Sequence, residues 1–250
     1  MNQFDPASFF GAESSKRYDA GHVRGDEDDA ARLLAELAGD GPALEFAIGT
    51  GRIALPLAQR GVAVHGIELS PHMVERLREK PGGAALPVVV GDMAYSQIDG
   101  AGDFSLVYLV FNTIFNLLTQ DDQVACFENA ARHLRPGGAF LVETRVPSAW
   151  IGISNGKVNG YVNPERVMAD EVTFDVARYD PVTQLFEENH VTITSSGVRF
   201  GPIVCRLAWP SELDLMARIA GLTLTERWGG WHKQPFTGES TWHVSVYRKA

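Results

Sequence analysis

The sequence predicts an α/β fold, a doubly wound and mostly parallel sheet covered by helices on both faces, with a β-rich segment inserted late in the chain. Three observations lead there. Short apolar runs alternate with amphipathic helical patterns from Ala43 to Thr144, the order of parallel strands joined by crossover helices. After Val146 the texture changes to β-rich runs joined by the short turns Asp180-Pro181 and Ser196-Gly197, which is how hairpins read. A helical pattern and two more strands then close the chain, so the β-rich stretch lies inside the α/β order.

Residues 26–38, DEDDAARLLAELA, set acids ahead of an apolar periodic stretch, which suits the positive end of a helix dipole and predicts an amphipathic helix ended by Gly39 to Pro42. Strand Ala43–Ile48 follows, then a helix from about Arg52 to Gln59, strand Ala63–Glu68, helix Pro71–Glu79 and strand Leu86–Val90. Strand Phe104–Phe111, helix Gln120–Leu134, a turn at Arg135-Pro136-Gly137-Gly138 and strand Ala139–Thr144 complete the parallel part. In the inserted stretch, Glu171–Tyr179, Thr183–Thr194 and Val198–Ala208 read as hairpin strands. Helix Ser211–Ala220, with Pro210 near its start, leads into strands Leu222–Trp228 and Trp242–Arg248. The expected organisation is an N-terminal helical lid over 1–40, a core over 41–145 and 209–250, and the β-rich segment over 146–208.

Composition narrows the partners. A formal net charge of -9 over 250 residues argues against a polyanion, so nucleic acid and anionic membrane are not expected and a small molecule is. The two cysteines, Cys126 and Cys205, lie far apart and read as buried hydrophobes rather than a zinc site or a disulfide. No cluster of metal-ligand spacing appears, and no metal is expected. The N-terminal MNQFDPASFF has no basic, apolar signal pattern, and no apolar run is long enough to span a bilayer; the expected location is the cytoplasm.

The chemistry should sit beyond the carboxyl ends of the strands. Gly49-x-Gly51-x-x-Ala54 follows the first strand and by itself admits two cofactors, one of them a dinucleotide whose pyrophosphate would approach the glycine backbone. Glu68 ends the second strand, about twenty residues past the turn, where an acid accepts hydrogen bonds from ribose hydroxyls. Gly91-Asp92 ends the third strand, Phe111-Asn112 the fourth, and Glu45 precedes the glycine turn.

The whole run from Ala43 to Glu143 resembles the class I S-adenosylmethionine-dependent methyltransferases. ALEFAIGTG, HGIELS, VVVGDM, VYLVFNTIFN and HLRPGGAFLVE stand in family order with family-like spacing. The resemblance implies a Rossmann-like core that binds S-adenosyl-L-methionine. It implies that Glu45 and the Gly49 and Gly51 backbone lie by the amino-acid end, that Glu68 binds the ribose, and that Asp92 and the Met93 backbone hold the adenine. Tyr18, Ala47, Leu69, Met73 and Val110 complete the implied cofactor surface. Where the family pattern has its first glycine this chain has Ala47, which is strained if that position takes a positive φ.

Tyr18 lies in the stretch SKRYDAGHVRG, which resembles the family's lid, and covers either the methionine end or the substrate. Phe111, Asn112, Phe115 and Asn116 follow the fourth strand, where the family lines its methyl-transfer site. The catalytic candidates are Tyr18, Asn112 and His232, with His22 and Asp19 as further candidate bases. His243 is placed near the site, His72 and His133 on surface helices, and Arg24 and Arg145 read as surface arginines before anion-binding ones. The β-rich segment resembles that of natural-product and sugar N-methyltransferases, where it shapes the substrate face or a homodimer contact. The expected activity is methylation of a nitrogen or oxygen of a small molecule. An NAD-dependent oxidoreductase and a non-catalytic cofactor-binding module are the rivals.

Overall fold

A computed structural model of the chain describes Gly11, Ala12, Ser15, Tyr18, Asp19 and residues 24–154 and 157–250. Most of the first 23 residues of the expected lid, His22 included, lie outside the described residues. Helix α1 (Glu27–Ala38) carries Glu27, Asp28 and Asp29 in its first turn and buries Ala30, Ala31, Leu33 and Leu34. The parallel core then alternates β1 (Ala43–Phe46), α2 (Ala54–Gln59), β2 (Val64–Glu68), α3 (Pro71–Glu79), β3 (Val88–Val90), β4 (Phe104–Leu109), α4 (Gln120–His133) and β5 (Leu134–Arg145). Helix α3 starts where Ser70 caps the Met73 amide and Pro71 takes the first helical position, which needs no N–H.

Short strands β6 (Gly152–Ser154) and β7 (Lys157–Asn159) pair with each other, and β8 (Tyr161–Val167), β9 (Glu171–Asp180), β10 (Leu185–Thr194) and β11 (Gly197–Arg206) form an antiparallel sheet in chain order. Helix α5 (Pro210–Ile219), β12 (Leu222–Trp228) and β13 (Trp242–Lys249) bring the chain back to the core. The main sheet has the order β12-β13-β5-β4-β1-β2-β3. Its β1, β2, β3, β4 and β5 pair in parallel, while β13 runs antiparallel to both β5 and β12. Strand order reverses between β1 and β4, the point where such sheets open a crevice.

Alternating residues of the sheet feed two buried clusters. Leu106, Tyr108 and Leu141 join α1 and α2 on one face; Phe104, Val107, Leu109 and Phe140 join α4 and α5 on the other. Phe186, Ala177 and Cys205 dock the antiparallel sheet onto the second face. Among the described residues no helix is long and apolar enough to cross a membrane.

Two local expectations are corrected. Arg135-Pro136-Gly137-Gly138 is not a turn before a strand but part of β5: the register moves from Phe104↔Leu134 to Leu106↔Ala139, so these residues bulge out of a continuous ladder. His133 is not on the surface. It is fully buried, its Nε2 accepts the Ile98 amide at 3.3 Å and its Nδ1 faces the Asn129 carbonyl at 2.8 Å.

Candidate active site

The carboxyl ends of β1 to β4 open into a cleft of about 450 Å³, within the range that holds a cofactor or small ligand. Ala47 and Gly49 border it after β1, Ile67, Glu68 and Leu69 at the end of β2, and Gly91, Asp92 and Met93 after β3. Thr113, Asn116, Leu117 and Leu118 border it after β4, with Met73 of α3, Asp122 of α4 and Tyr18 of the N-terminal segment. The lining carries three acids and, among the described residues, no lysine or arginine.

The glycine turn places alternate residues in the left-handed region: Ala47 at φ 53°, Gly49 at 56° and Gly51 at 80°. Its two glycines serve different neighbours. A Cβ on Gly51 would stand 2.3 Å from Leu77, so this glycine lets α3 pack against the turn and does not face the cleft. Gly49 does face it, and a Cβ there would meet nothing nearer than the Ala47 carbonyl at 3.9 Å. The Gly49 amide donates to Glu68 Oε2 at 2.8 Å and the Ser70 amide to Oε1 at 2.8 Å. Glu68 therefore serves the start of α3 and the cleft at once. Burial raises its pKa, opposed by these backbone donors.

This arrangement decides between the two cofactor chemistries the turn admits. The backbone donor a pyrophosphate would use already holds a carboxylate, and no cation stands beside it among the lining residues. An uncharged adenosine with a cationic tail fits acid-lined, half-apolar walls better than a doubly charged pyrophosphate does.

Glu45 lies behind the turn, buried, and accepts the Tyr108 hydroxyl at 2.9 Å. Burial pushes its carboxyl up to about 8, although Tyr108, Arg52 and the Ala54 amide all favour the charged form. Val110 is likewise buried beneath the site, in the cluster on the α1 face. Asp92 points its Oδ1 back to the Ala94 amide at 2.8 Å while bordering the cleft with Met93, Leu69 and Met73.

Tyr18 borders the cleft, and burial first of all pushes its phenol up to about 12, so it is protonated at neutral pH. Its neighbour Asp19 latches this segment down: its carboxylate meets Lys80 Nζ at 2.8 Å and the Thr50 hydroxyl at 2.5 Å.

After β4, Phe111 and Asn112 both take φ 61°, ending the strand two residues earlier than its apolar pattern suggests. That twist carries the Asn112 side chain away from the cleft wall. Its Oδ1 accepts the Thr144 hydroxyl at 3.0 Å and the Arg145 amide at 2.7 Å. Asn116, one turn on, borders the cleft instead.

His232 is not at this site. It is exposed, its Nε2 lies 3.0 Å from Asp29, and it lines a separate recess with Trp231, Glu143 and Trp242. His243 is fully buried on Ser245 Oγ at 2.8 Å, and burial pushes its pKa down to about 3.

Two further features surround the cleft. Phe115 meets Trp150 edge-on at 5.9 Å, Trp150 stacks on Phe186 at 5.9 Å, and Tyr161 lies against Phe186 at 6.1 Å, an aromatic cluster packed between the core and the antiparallel sheet in which Phe115 and Phe186 are buried and Trp150 and Tyr161 half-buried. Cys205 Sγ stands 3.9 Å from Asn116 Oδ1 and links that cluster to the cleft. Guanidinium groups and rings then alternate along the strand ends. Arg52 lies 4.6 Å and Arg24 5.4 Å from Phe111; Arg24 lies 4.3 Å and Arg145 4.6 Å from Trp242; Arg145 lies 5.6 Å from Trp150. Arg24 is also paired with Glu143 at 3.0 Å. The acid closing HLRPGGAFLVE was visible in the sequence, but its partner is 119 positions away and carries no spacing signal.

Residues 43–138 match a family model described as a methyltransferase domain. A cypemycin N-terminal methyltransferase from a Streptomyces species is 27% identical over 199 residues, 79% of this chain and 78% of that protein. The solved structure of the CcbJ methyltransferase from Streptomyces caelestis is 35% identical, with a TM-score of 0.89 over 99% of this chain and 100% of that one. S-adenosylmethionine-bound CalS10, an amino pentose methyltransferase from Micromonospora echinaspora, shares the fold at 21% identity and a TM-score of 0.68, over 100% of this chain and 99% of that one.

Proposed function

The chain belongs to the class I S-adenosylmethionine-dependent methyltransferases, and from that premise we propose that it methylates a nitrogen or oxygen of a small-molecule acceptor held beside the cleft. The observation that carries the reading is the cleft lining itself. Glu68 holds the glycine turn by a 2.8 Å bond from Gly49, and acids with apolar side chains, not cations, face the space. Bound there, S-adenosylmethionine supplies a methyl group activated on a sulfonium.

The chain's own residues then have these roles. Glu68 accepts from the ribose hydroxyls, Asp92 and the Met93 backbone meet the adenine, and Ala47 and Gly49 border the methionine end. Leu69, Met73, Leu117 and Leu118 keep water off the reacting line. Tyr18, as a neutral phenol, closes the cleft and offers a hydrogen bond rather than a base. Asn116 and the half-buried Trp150 and Tyr161 orient the acceptor. Orientation alone supplies up to roughly 7–11 kcal/mol in model reactions, and a neutral amine needs little else, whereas a hydroxyl gains from a base. A similar protein named for methylation of an N-terminus supports an amine.

Calorimetry with S-adenosylmethionine and NAD, followed by turnover on amine and phenol panels, tests the reading. The expected result is binding of S-adenosylmethionine alone and methylation within the amine panel. Equal or tighter binding of NAD would overturn it, and cofactor binding without turnover on either panel would favour a non-catalytic module.

A further inference from the structure

Among the described residues, Arg145 is a charged side chain that meets no carboxylate. Arg24, Arg52, Arg206 and Arg227, all at least partly buried, each meet a carboxylate: Glu143 at 3.0 Å, Glu27 at 3.0 Å, Glu212 at 2.7 Å and Asp214 at 2.5 Å respectively. Arg145 is also partly buried, yet among the described residues its guanidinium has no ion pair and no hydrogen bond. Two tryptophans hold it instead, Trp242 at 4.6 Å and Trp150 at 5.6 Å.

The acids nearby are already engaged. Glu143 takes Arg24 and the Phe111 amide. Glu188 accepts the Tyr161 hydroxyl at 2.6 Å and faces His190 at 3.7 Å. A partly desolvated guanidinium calls for an anion, and indole faces on this one fix its orientation while leaving the in-plane N–H edge for a planar acceptor such as a carboxylate. Its position says whose carboxylate. Arg145 ends β5, its amide held by Asn112 four residues before the cleft-lining Asn116, and Trp150, which it covers, is the half-buried end of the aromatic cluster, touching both Phe115 and Phe186.

We infer that Arg145 is the specificity residue of the acceptor site and that the acceptor is a carboxylate-bearing amine, of amino-acid or peptide-acid type. This rests on the methyl-transfer reading of the adjoining cleft. The carboxylate docks on Arg145 between the half-buried Trp150 and Trp242 while the amine reaches past Asn116 toward the cleft. The Trp150 and Trp242 clamp supplies the preorganisation, so lysine, a point charge on a flexible stem, replaces it poorly.

The probes are 3-phenylpropionate and its neutral amide, whose ring can lie on the half-buried Trp150 or Trp242, titrated by calorimetry into the chain loaded with S-adenosylhomocysteine. For the wild-type chain the acid is expected to bind at least about tenfold tighter than the amide, the effect of one charge-assisted hydrogen bond. That preference is expected to vanish in Arg145→Gln and to shrink in Arg145→Lys, with S-adenosylmethionine affinity unchanged in both, which also certifies their folding. Equal binding of acid and amide to the wild-type chain, no binding of either, or a preference that survives Arg145→Gln overturns the inference. If the wild-type chain binds no S-adenosylmethionine, the methyl-transfer reading fails instead, and the same acid and amide titration on the unloaded chain still judges Arg145.

Discussion

The Tyr108 hydroxyl donates to the Glu45 carboxyl at 2.9 Å, inside the sheet and directly behind the glycine turn. The pair joins neighbouring strands at the point where strand order reverses, in the register Glu45↔Tyr108. Burial holds Glu45 up at about 8 against an ordinary 4.5. Between those values the folded chain keeps a proton that the unfolded chain has released. The stability this group contributes is therefore complete below about 4.5 and is lost as pH rises through about 8. Glu45→Gln should flatten that slope. Urea melts of the cofactor-free protein at pH 5 and pH 8 are expected to differ less for the variant than for the parent; matching slopes would assign the titration to another group.

Glu68→Ala should weaken S-adenosylmethionine binding about a hundredfold or more, from a dissociation constant near the micromolar range, because two charge-assisted bonds of roughly 1.5–3 kcal/mol each are removed. Calorimetry reads this directly. The same carboxylate holds the Gly49 and Ser70 amides, so some loss of thermal stability should accompany it. A large drop in melting temperature with cofactor affinity intact would reduce Glu68 to a cap of α3.

Ala47 takes φ 53°, a conformation that costs a non-glycine residue about 1 kcal/mol. Glycine relieves that strain but adds unfolded-state freedom worth roughly 0.4–1 kcal/mol, so Ala47→Gly should leave stability nearly unchanged. Ala47→Val should not be tolerated, since a β-branched side chain in this region also projects beside the cleft; destabilisation beyond about 1 kcal/mol is expected. Denaturant melts separate the two, and unchanged stability in Ala47→Val would argue against the left-handed turn.

Asn112 and Asn116 should fail in different ways. Asn112→Ala strands the Thr144 hydroxyl and the Arg145 amide, at a cost of about 1–3 kcal/mol in stability. Asn116→Ala removes a group on the cleft wall and should lower saturated turnover while S-adenosylmethionine affinity stays within about threefold, as a contact felt mainly in the transition state does. Turnover and melting temperature measured on both variants are the check; the reverse assignment would return the acceptor site to Asn112.

The parallel core was legible because β1 to β5 are short apolar runs between helical patterns, and the acids at their ends stand where ligands bind. What escaped was set by contacts distant in sequence. Tyr108 behind Glu45 is 63 positions away and follows only from the register of β1 with β4. Pro136-Gly137-Gly138 carries every mark of a turn, yet Leu134 pairs with Phe104 before it and the ladder runs on from Ala139 after it, so β5 absorbs it as a bulge. The left-handed pair Phe111 and Asn112 redirected an amide that its place after the fourth strand, by the family resemblance, set at the methyl-transfer site, and His232 found Asp29 through a loop return that local pattern does not encode.

The antiparallel sheet leaves the core after β5, where the Val146 amide bonds the Thr241 carbonyl at 2.9 Å, and returns at Leu207, which bonds the Gln184 carbonyl at 2.9 Å. Between those points none of its strands pairs with the seven-stranded sheet. A closed excursion of this kind can change length at a cost of only about 0.6 kcal/mol per doubling of a flexible loop. On the proposed acceptor site, exchanging this one cassette changes the wall that Tyr161 and Phe186 supply, while Arg145 and the donor half are inherited intact.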